Sequence, residues 1–350
     1  MNSYILSIRS KKAINRFLVL AFSIFTFSFS WGQNVPSNAQ SNGVLNNESE
    51  AAEKIVLEST AVKEKARTLK SKKESKLNTN SFEYNYQNYL AASSKNKKSF
   101  EFLQKAYEIY PDNVALYDDF MAYYEMNENA TGRRQFSSKL AKSNTISSYL
   151  MEYNFNVLAS LPLNSVLFTN GFDDTYPIWI SQDVDNVRKD ITIINISLLG
   201  DKTYLKRIFE KENIRYNHTL SGADLIADVM KSNAQKNIFI GLTVDKKIIE
   251  KLHKNLYLTG LAFKYSEKAF PNVKQTTEVW ENSFKKSSLN SLPSTFKEKQ
   301  VLANYLIPMI YIHNRYVDLG EVKKAEELKK IALKIAAYNG KSKIVTSKLK

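Results

Sequence analysis

Cysteine is missing from all 350 residues. Its absence excludes disulfides, thiolate metal sites and lipid attachment at cysteine. Histidine is nearly missing. His218, His253 and His313 are the three present, and none has a second His at i+4 or a Glu at zinc-binding spacing. There is no G-x-S-x-G elbow and no glycine-rich phosphate cradle. Acidic residues are under-represented, 35 against 50 Lys and Arg, for a formal charge of +15. The excess does not point to nucleic acid, because no recognisable nucleic-acid module accompanies it.

What is present begins with a tripartite leader. Arg9, Lys11, Lys12 and Arg16 stand without an acid among them, the apolar run Phe17–Phe29 follows, and Ser30-Trp31-Gly32-Gln33 offers small residues for cleavage. Residues 1–32 are therefore expected to be a signal peptide cut after Gly32, with an uncleaved anchor as the alternative. The run is shorter than the ~20 apolar residues of a comfortable membrane span. Loss of the leader leaves a charge of about +11. Much of that sits in Lys63–Lys76 and in the last ten residues, KSKIVTSKLK. Such tails read as solvated basic spacers or as peripheral contacts with an anionic membrane surface. The expected address is the periplasm or outer membrane of a Gram-negative bacterium.

Residues 33–80 are rich in Asn, Ser, Glu and Lys and read as a polar spacer. From residue 81 to 160 the aromatic density rises and helical spacing begins, with Phe100, Leu103, Ala106 and Tyr107 on one face and Pro111-Asp112-Asn113 as a break. These helix pairs resemble tetratricopeptide repeats, about two degenerate copies. Residues 161–266 alternate apolar runs with helical stretches: Val166–Phe168, Ile191–Ile196, Asn237–Val244 and Leu256–Phe263 as strands. That alternation predicts an α/β domain around a small parallel three-layer sheet. Residues 267–340 read as helical, closing with a tetratricopeptide-like hairpin broken at Asp318-Leu319-Gly320, and 341–350 as a basic tail. Tetratricopeptide-like hairpins would thus flank the sheet on both sides. Trp179 and Trp280 fall at core spacing on amphipathic helices.

The stretch Asn164–Leu199 organises the rest. It reads as strand, tight loop, helix, strand, and ligands of open α/β sheets sit outside the carboxyl ends of strands. The loop there supplies the candidate ligand-binding residues Asn170, Gly171, Asp173, Asp174 and Thr175, with Asn195 at the end of the next strand. Two readings stand side by side. In one, Asp173 and Asp174 bind a metal or sugar hydroxyls. In the other, Asp174 or Thr175 caps a helix beginning near Tyr176, with Pro177 in its first turn. A divalent cation is the one cofactor these acids would admit. A phosphate would meet two negative charges and no Lys or Arg in the loop.

The segment Leu161–Leu199 resembles part of the soluble C-terminal region of large bacterial multipass proteins related to protein O-mannosyltransferases, a segment that also occurs in exported tetratricopeptide proteins. The matching residues are Leu167–Gly171, Asp174–Pro177, Trp179, Gln182, Arg188, Asp190, Asn195 and Ser197–Leu199, with Asn255–Tyr265 similar to a later family segment. The resemblance runs from Tyr149 to Leu289. Phe172 stands where the family carries the first acid of its Gly-Asp-Asn-Asp, and the multipass portion is absent from this sequence. The resemblance therefore implies an accessory or recognition domain rather than a transferase. The expectation is a non-catalytic, exported binding protein whose partner is an envelope protein or glycan. The alternative is a carbohydrate-active or metal-dependent enzyme built on Asp173 and Asp174.

Overall fold

The computed structural model describes residues 79–92 and 97–350, which fall into two compact units divided between Thr145 and Ile146. The expected leader and nearly all of the expected spacer lie outside the described residues.

The first unit is helical. Helices α1 (Phe82–Ala91) and α2 (Lys97–Ile109) pack as one pair, and α3 (Tyr117–Met126) and α4 (Ala130–Lys142) as another. Short polar side chains begin two of them: at α1 the Ser81 hydroxyl accepts from Tyr84 N, and at α4 Asn129 accepts from Gly132 N at 2.8 Å. The aromatic spacing fills the space between helices. Phe120 stacks on Phe136 with centroids 4.1 Å apart, and Phe100 on Tyr123 at 3.6 Å.

The second unit holds the sheet. Strands β1 (Val166–Thr169), β2 (Thr192–Asn195), β3 (Ile238–Gly241), β4 (Leu256–Thr259) and β5 (Ala262–Tyr265) lie in the order β2-β1-β3-β5-β4. The parallel part is β2-β1-β3, in register Val166 with Thr192 and Val166 with Ile238. All four residues of β1, β3 and β4 are buried, as they are when both faces of a sheet are covered by helices. The α/β class holds, with one difference. The apolar run Leu256–Phe263 is not one parallel strand but a hairpin, turning at Gly260-Leu261, whose second strand pairs antiparallel with β3. Gly260 makes that turn possible. Its φ is +59, and a Cβ there would lie 2.2 Å from the Ser160 hydroxyl. That hydroxyl instead accepts from Leu261 N at 2.9 Å.

Helix α5 (Ser148–Ala159), at the end of the stretch read with the N-terminal helices, belongs to the sheet unit. It packs on α6 (Phe172–Asp183), the crossover between β1 and β2. Helices α7 (Lys202–Lys211) and α8 (Gly222–Ser232) lead to β3, and α9 (Lys246–Leu252) to β4. Helix α10 (Asn272–Asn282) covers the β4 edge, with Asn272 Nδ2 donating to Leu258 O at 2.8 Å. After a short turn, α11 (Ser287–Asn290), come α12 (Phe296–Ala303) and the expected hairpin, α13 (Leu306–Asp318) with α14 (Val322–Tyr338). The last ten residues are not a free tail. They form α15 (Ser342–Thr346), bury Val345, and tie back to α13 through Asn314, which donates to Lys348 O at 3.0 Å and accepts from Lys350 N at 2.9 Å. Trp179 and Trp280 are both core residues.

Among the described residues, no helix is long and apolar enough to cross a membrane.

Candidate functional site

The chain leaves β1 for β2 on one side and reaches β3 on the other. The point of reversal therefore lies between the carboxyl ends of β1 and β3, the position where such sheets bind ligands. Two loops meet there, Asn170-Gly171 after β1 and Leu242-Thr243-Val244 after β3. Asn170 Nδ2 donates to Thr243 O at 3.2 Å and joins them.

Helix α6 starts at Phe172, four residues before the expected start. The reason is Gly171. Its φ of +79 and ψ of −154 form a backbone conformation that essentially only glycine adopts, and this lets the chain turn from strand to helix in one residue. Neither Asp174 nor Thr175 caps this helix in the expected way; Gly171 stands at the cap without a side-chain bond. Thr175 points into the core, its hydroxyl 2.7 Å from that of Thr169.

Asp174 is 7 % exposed. Its Oδ2 accepts from Asn170 N at 3.3 Å and from the Thr243 hydroxyl. Its Oδ1 has no hydrogen-bond partner among the described residues. Burial raises this carboxyl to about 7; the charge of Asp173 adds to the rise, and the bonds from Thr243 and Asn170 oppose it. The effect is mutual with Tyr153 on α5. Burial raises that phenol well above its ordinary value, and the Asp174 charge raises it further. Tyr153 is 2 % exposed, and its ring meets that of Tyr305 edge-on with centroids 5.6 Å apart.

Asp173 goes elsewhere. Its carboxylate pairs with Lys297 of α12 at 2.7 Å, on the surface. The two adjacent acids thus face different partners, and among the described residues no group of three or more His, Cys, Asp or Glu side chains is placed to hold a metal ion. Asn195 does reach the loop. Its Oδ1 accepts from Gly171 N at 3.4 Å and from the Ser197 hydroxyl at 2.6 Å.

The structure therefore brings together Asn170, Gly171, Asp174 and Asn195, adds Thr243 and Tyr153, turns Thr175 inward and turns Asp173 to Lys297. Thr243 had a signal in the sequence, since it follows the third strand on the same side of the sheet. Tyr153 and Lys297 had none, because helix packing alone carries them there. Phe172, at the first position of α6, is 37 % exposed; its ring leans on Tyr176 at 4.9 Å, with Lys297 Nζ 5.8 Å from its centroid.

No curated protein and no solved structure matches this chain. One family model does: residues 150–216 are similar to the TMEM260-associated domain 2, a stretch that takes in most of α5 and all of β1, α6, β2 and α7 and so contains every site residue named above except Thr243 and Lys297.

Proposed function

We propose that the chain is an exported interaction protein, and that its sheet unit is a ligand-recognition module for a surface-assembly, secretion or glycan-handling system. One observation carries this reading: a buried carboxyl, Asp174, sits at the switch point of the sheet, and both of its hydrogen bonds among the described residues fall on the same oxygen. A burial that raises a carboxyl to about 7 opposes its ionisation, and a purely structural site would gain by replacing it with a neutral residue. The family match and the resemblance to proteins related to O-mannosyltransferases support an accessory role beside a glycosyl-transfer system. The helical pairs of the first unit and the α13–α14 hairpin are read as tetratricopeptide-like surfaces that dock an envelope partner. The leader motif supports a periplasmic or outer-membrane address. A basic stretch such as Lys63–Lys76 would add peripheral contact with anionic lipid.

A catalytic reading has one specific observation in its favour. A carboxyl held near pH 7 is suited to general acid–base work. Asp173 does not serve as its partner acid here, being tied to Lys297.

The test is a thermal-shift and calorimetric survey of the chain against envelope sugars and divalent cations, beside Asp174→Asn. A ligand response in the parent that the variant lacks supports recognition at this site. Turnover of a chromogenic glycoside lost in the variant would make it an enzyme instead. If no probe stabilises the parent, the site reading fails.

A further inference from the structure

The region after the sheet differs from it in charge and in what it exposes. Residues 146–266 hold 14 Lys and Arg against 13 Asp and Glu, whereas residues 267–350 hold 16 against 8. Where α13 turns into α14, three apolar side chains stand in the open within a span of six residues. Val317 is 41 % exposed, Leu319 58 % and Val322 70 %. Turns between helices are ordinarily polar. This one is also fixed in place. Gly320 N donates to Val317 O at 3.1 Å and Glu321 N to Tyr316 O at 2.9 Å, the paired bonds that close a helix at a left-handed glycine, here with φ +73. Those bonds are made by the backbone and leave the three apolar side chains at the surface. Positive charge gathers at the same end. Lys323 and Lys324 open α14, and Asn314 and Asp318 draw Lys348 and Lys350 to the end of α13. The acids there are Asp318, matched by Lys350, Glu281, matched by Lys324, and Glu321.

Size selects the class of partner. A stable protein interface takes about 800 Å2 from each side, far more than the end of one hairpin presents. A lipid interface asks less: a few apolar side chains at the headgroup boundary, with lysines beside them to meet anionic headgroups. We propose that the α13–α14 turn is a membrane-contact tip, which places Val317, Leu319 and Val322 in the interface of an anionic bilayer with Lys323, Lys348 and Lys350 at the headgroups. The apolar side chains supply burial. The basic excess of residues 267–350 supplies attraction at longer range, which salt screens. This inference rests on the envelope address proposed above, not on the Asp174 site, and it gives peripheral lipid contact a folded surface.

The lack of cysteine makes the test direct, because Leu319→Cys creates a single position for an environment-sensitive thiol label. Leu163→Cys, at an exposed leucine between α5 and β1, is the control. Each labelled full chain is mixed with vesicles of phosphatidylcholine, or of phosphatidylcholine and phosphatidylglycerol in equal parts, at low and high salt. Co-sedimentation is measured in parallel. The Leu319→Cys label should shift to the blue with the anionic vesicles, less at high salt and little with phosphatidylcholine alone, while the Leu163→Cys label stays unchanged. Adding Val317→Ser and Val322→Ser should raise the lipid needed for half the shift about tenfold. Both side chains are exposed, so an unaltered unfolding midpoint separates lost contact from lost fold. Co-sedimentation without a shift of the Leu319→Cys label would overturn the tip and leave lipid contact to another segment, such as Lys63–Lys76. Failure to co-sediment with either vesicle would overturn the tip and the peripheral contact together. Equal shifts at the two labels, or equal shifts with the two vesicles, would also overturn the proposal. A blue shift that needs no vesicles and grows with protein concentration would overturn it in favour of a contact between copies of the chain.

Discussion

The side-chain amide of Asn154, in α5, donates at 2.8 Å to the backbone carbonyl of Asp173, in the first turn of α6. The bond has a covalent cause four residues on. Pro177 lies inside α6 and has no N–H, so the carbonyl of Asp173 loses its helical donor. Asn154 is buried and supplies the missing one. Asn154→Ala leaves that carbonyl without a donor at a helix interface and should cost about 1–3 kcal/mol. Pro177→Ala restores the backbone N–H, so the two changes should not add. Urea unfolding of both single variants and the double variant should give a coupling of about 1 kcal/mol or more. Simple additivity would mean that the amide is not standing in for the proline.

A pH dependence follows from Asp174. Its carboxyl is raised by burial to about 7, so the native state holds a proton that the unfolded chain releases near its ordinary value. Stability from this group is therefore full below about pH 4 and is lost as pH rises through 7. Asp174→Asn removes the titration and keeps the shape. The variant should match the parent at pH 4 and exceed it at pH 8, by on the order of 2–4 kcal/mol. Thermal unfolding at the two values decides this. A variant less stable than the parent at pH 8 would show that the carboxylate is well satisfied.

Why the pattern of residues reveals some of this and conceals the rest is visible in α6. The apolar runs Val166–Phe168 and Ile191–Ile196 are local signals, and they became β1 and β2. The alternation with helices gave the parallel core. Pro177 suggested a first helical turn, and so a start near Tyr176, because a proline in a helix interior leaves an acceptor unsatisfied. The relief comes from Asn154, 19 positions away, and only tertiary packing supplies it. The same holds for Asp174, whose donor Thr243 is 69 positions distant. The β4–β5 hairpin was hidden for another reason. Every residue from Leu256 to Phe263 is buried, so no exposed polar residue marks the reversal. The basic tail misled through its charge: Lys343 and Lys350 are exposed and Lys348 is partly so, but Lys341 and Val345 are buried and anchor the segment.

Arg188 should prove costly to replace. Its guanidinium donates to Leu158 O at 2.8 Å, Leu161 O at 2.9 Å and Pro162 O at 2.9 Å while pairing with both oxygens of Asp190. It thereby fixes the connection between α5 and β1. The Arg188 bonds hold the Asp190 carboxyl down at about 2, so this pair contributes stability that is present above about pH 4 and lost as pH falls toward 2. Arg188→Ala should cost about 3 kcal/mol at neutral pH and flatten the acid limb of the stability curve. Arg188→Lys should recover less than half, because one ammonium does not reach three carbonyls and a carboxylate at once. Full recovery by lysine would show that charge alone matters at this position.

Two glycines with almost the same backbone separate sterics from conformation. Gly260 has φ +59 and Gly340, just past the end of α14, has φ +63. A Cβ on Gly340 meets nothing within 4 Å, whereas one on Gly260 falls 2.2 Å from Ser160 Oγ and 2.4 Å from Ser160 Cβ. Gly340→Ala should therefore show the left-handed penalty alone, about 1 kcal/mol. Gly260→Ala adds a clash in the core and breaks the bond from Leu261 N to Ser160 Oγ, which is 2.9 Å long. Its cost should exceed that of Gly340→Ala by roughly 2 kcal/mol. Trimming the obstacle with Ser160→Gly should return part of that excess and not all of it, since the hydrogen bond stays lost. Equal costs at the two glycines would mean that the hairpin shifts away from α5 freely. In that case the β4–β5 edge would be held by α10, whose Thr276 hydroxyl accepts from Gly260 N at 3.0 Å, rather than by Ser160.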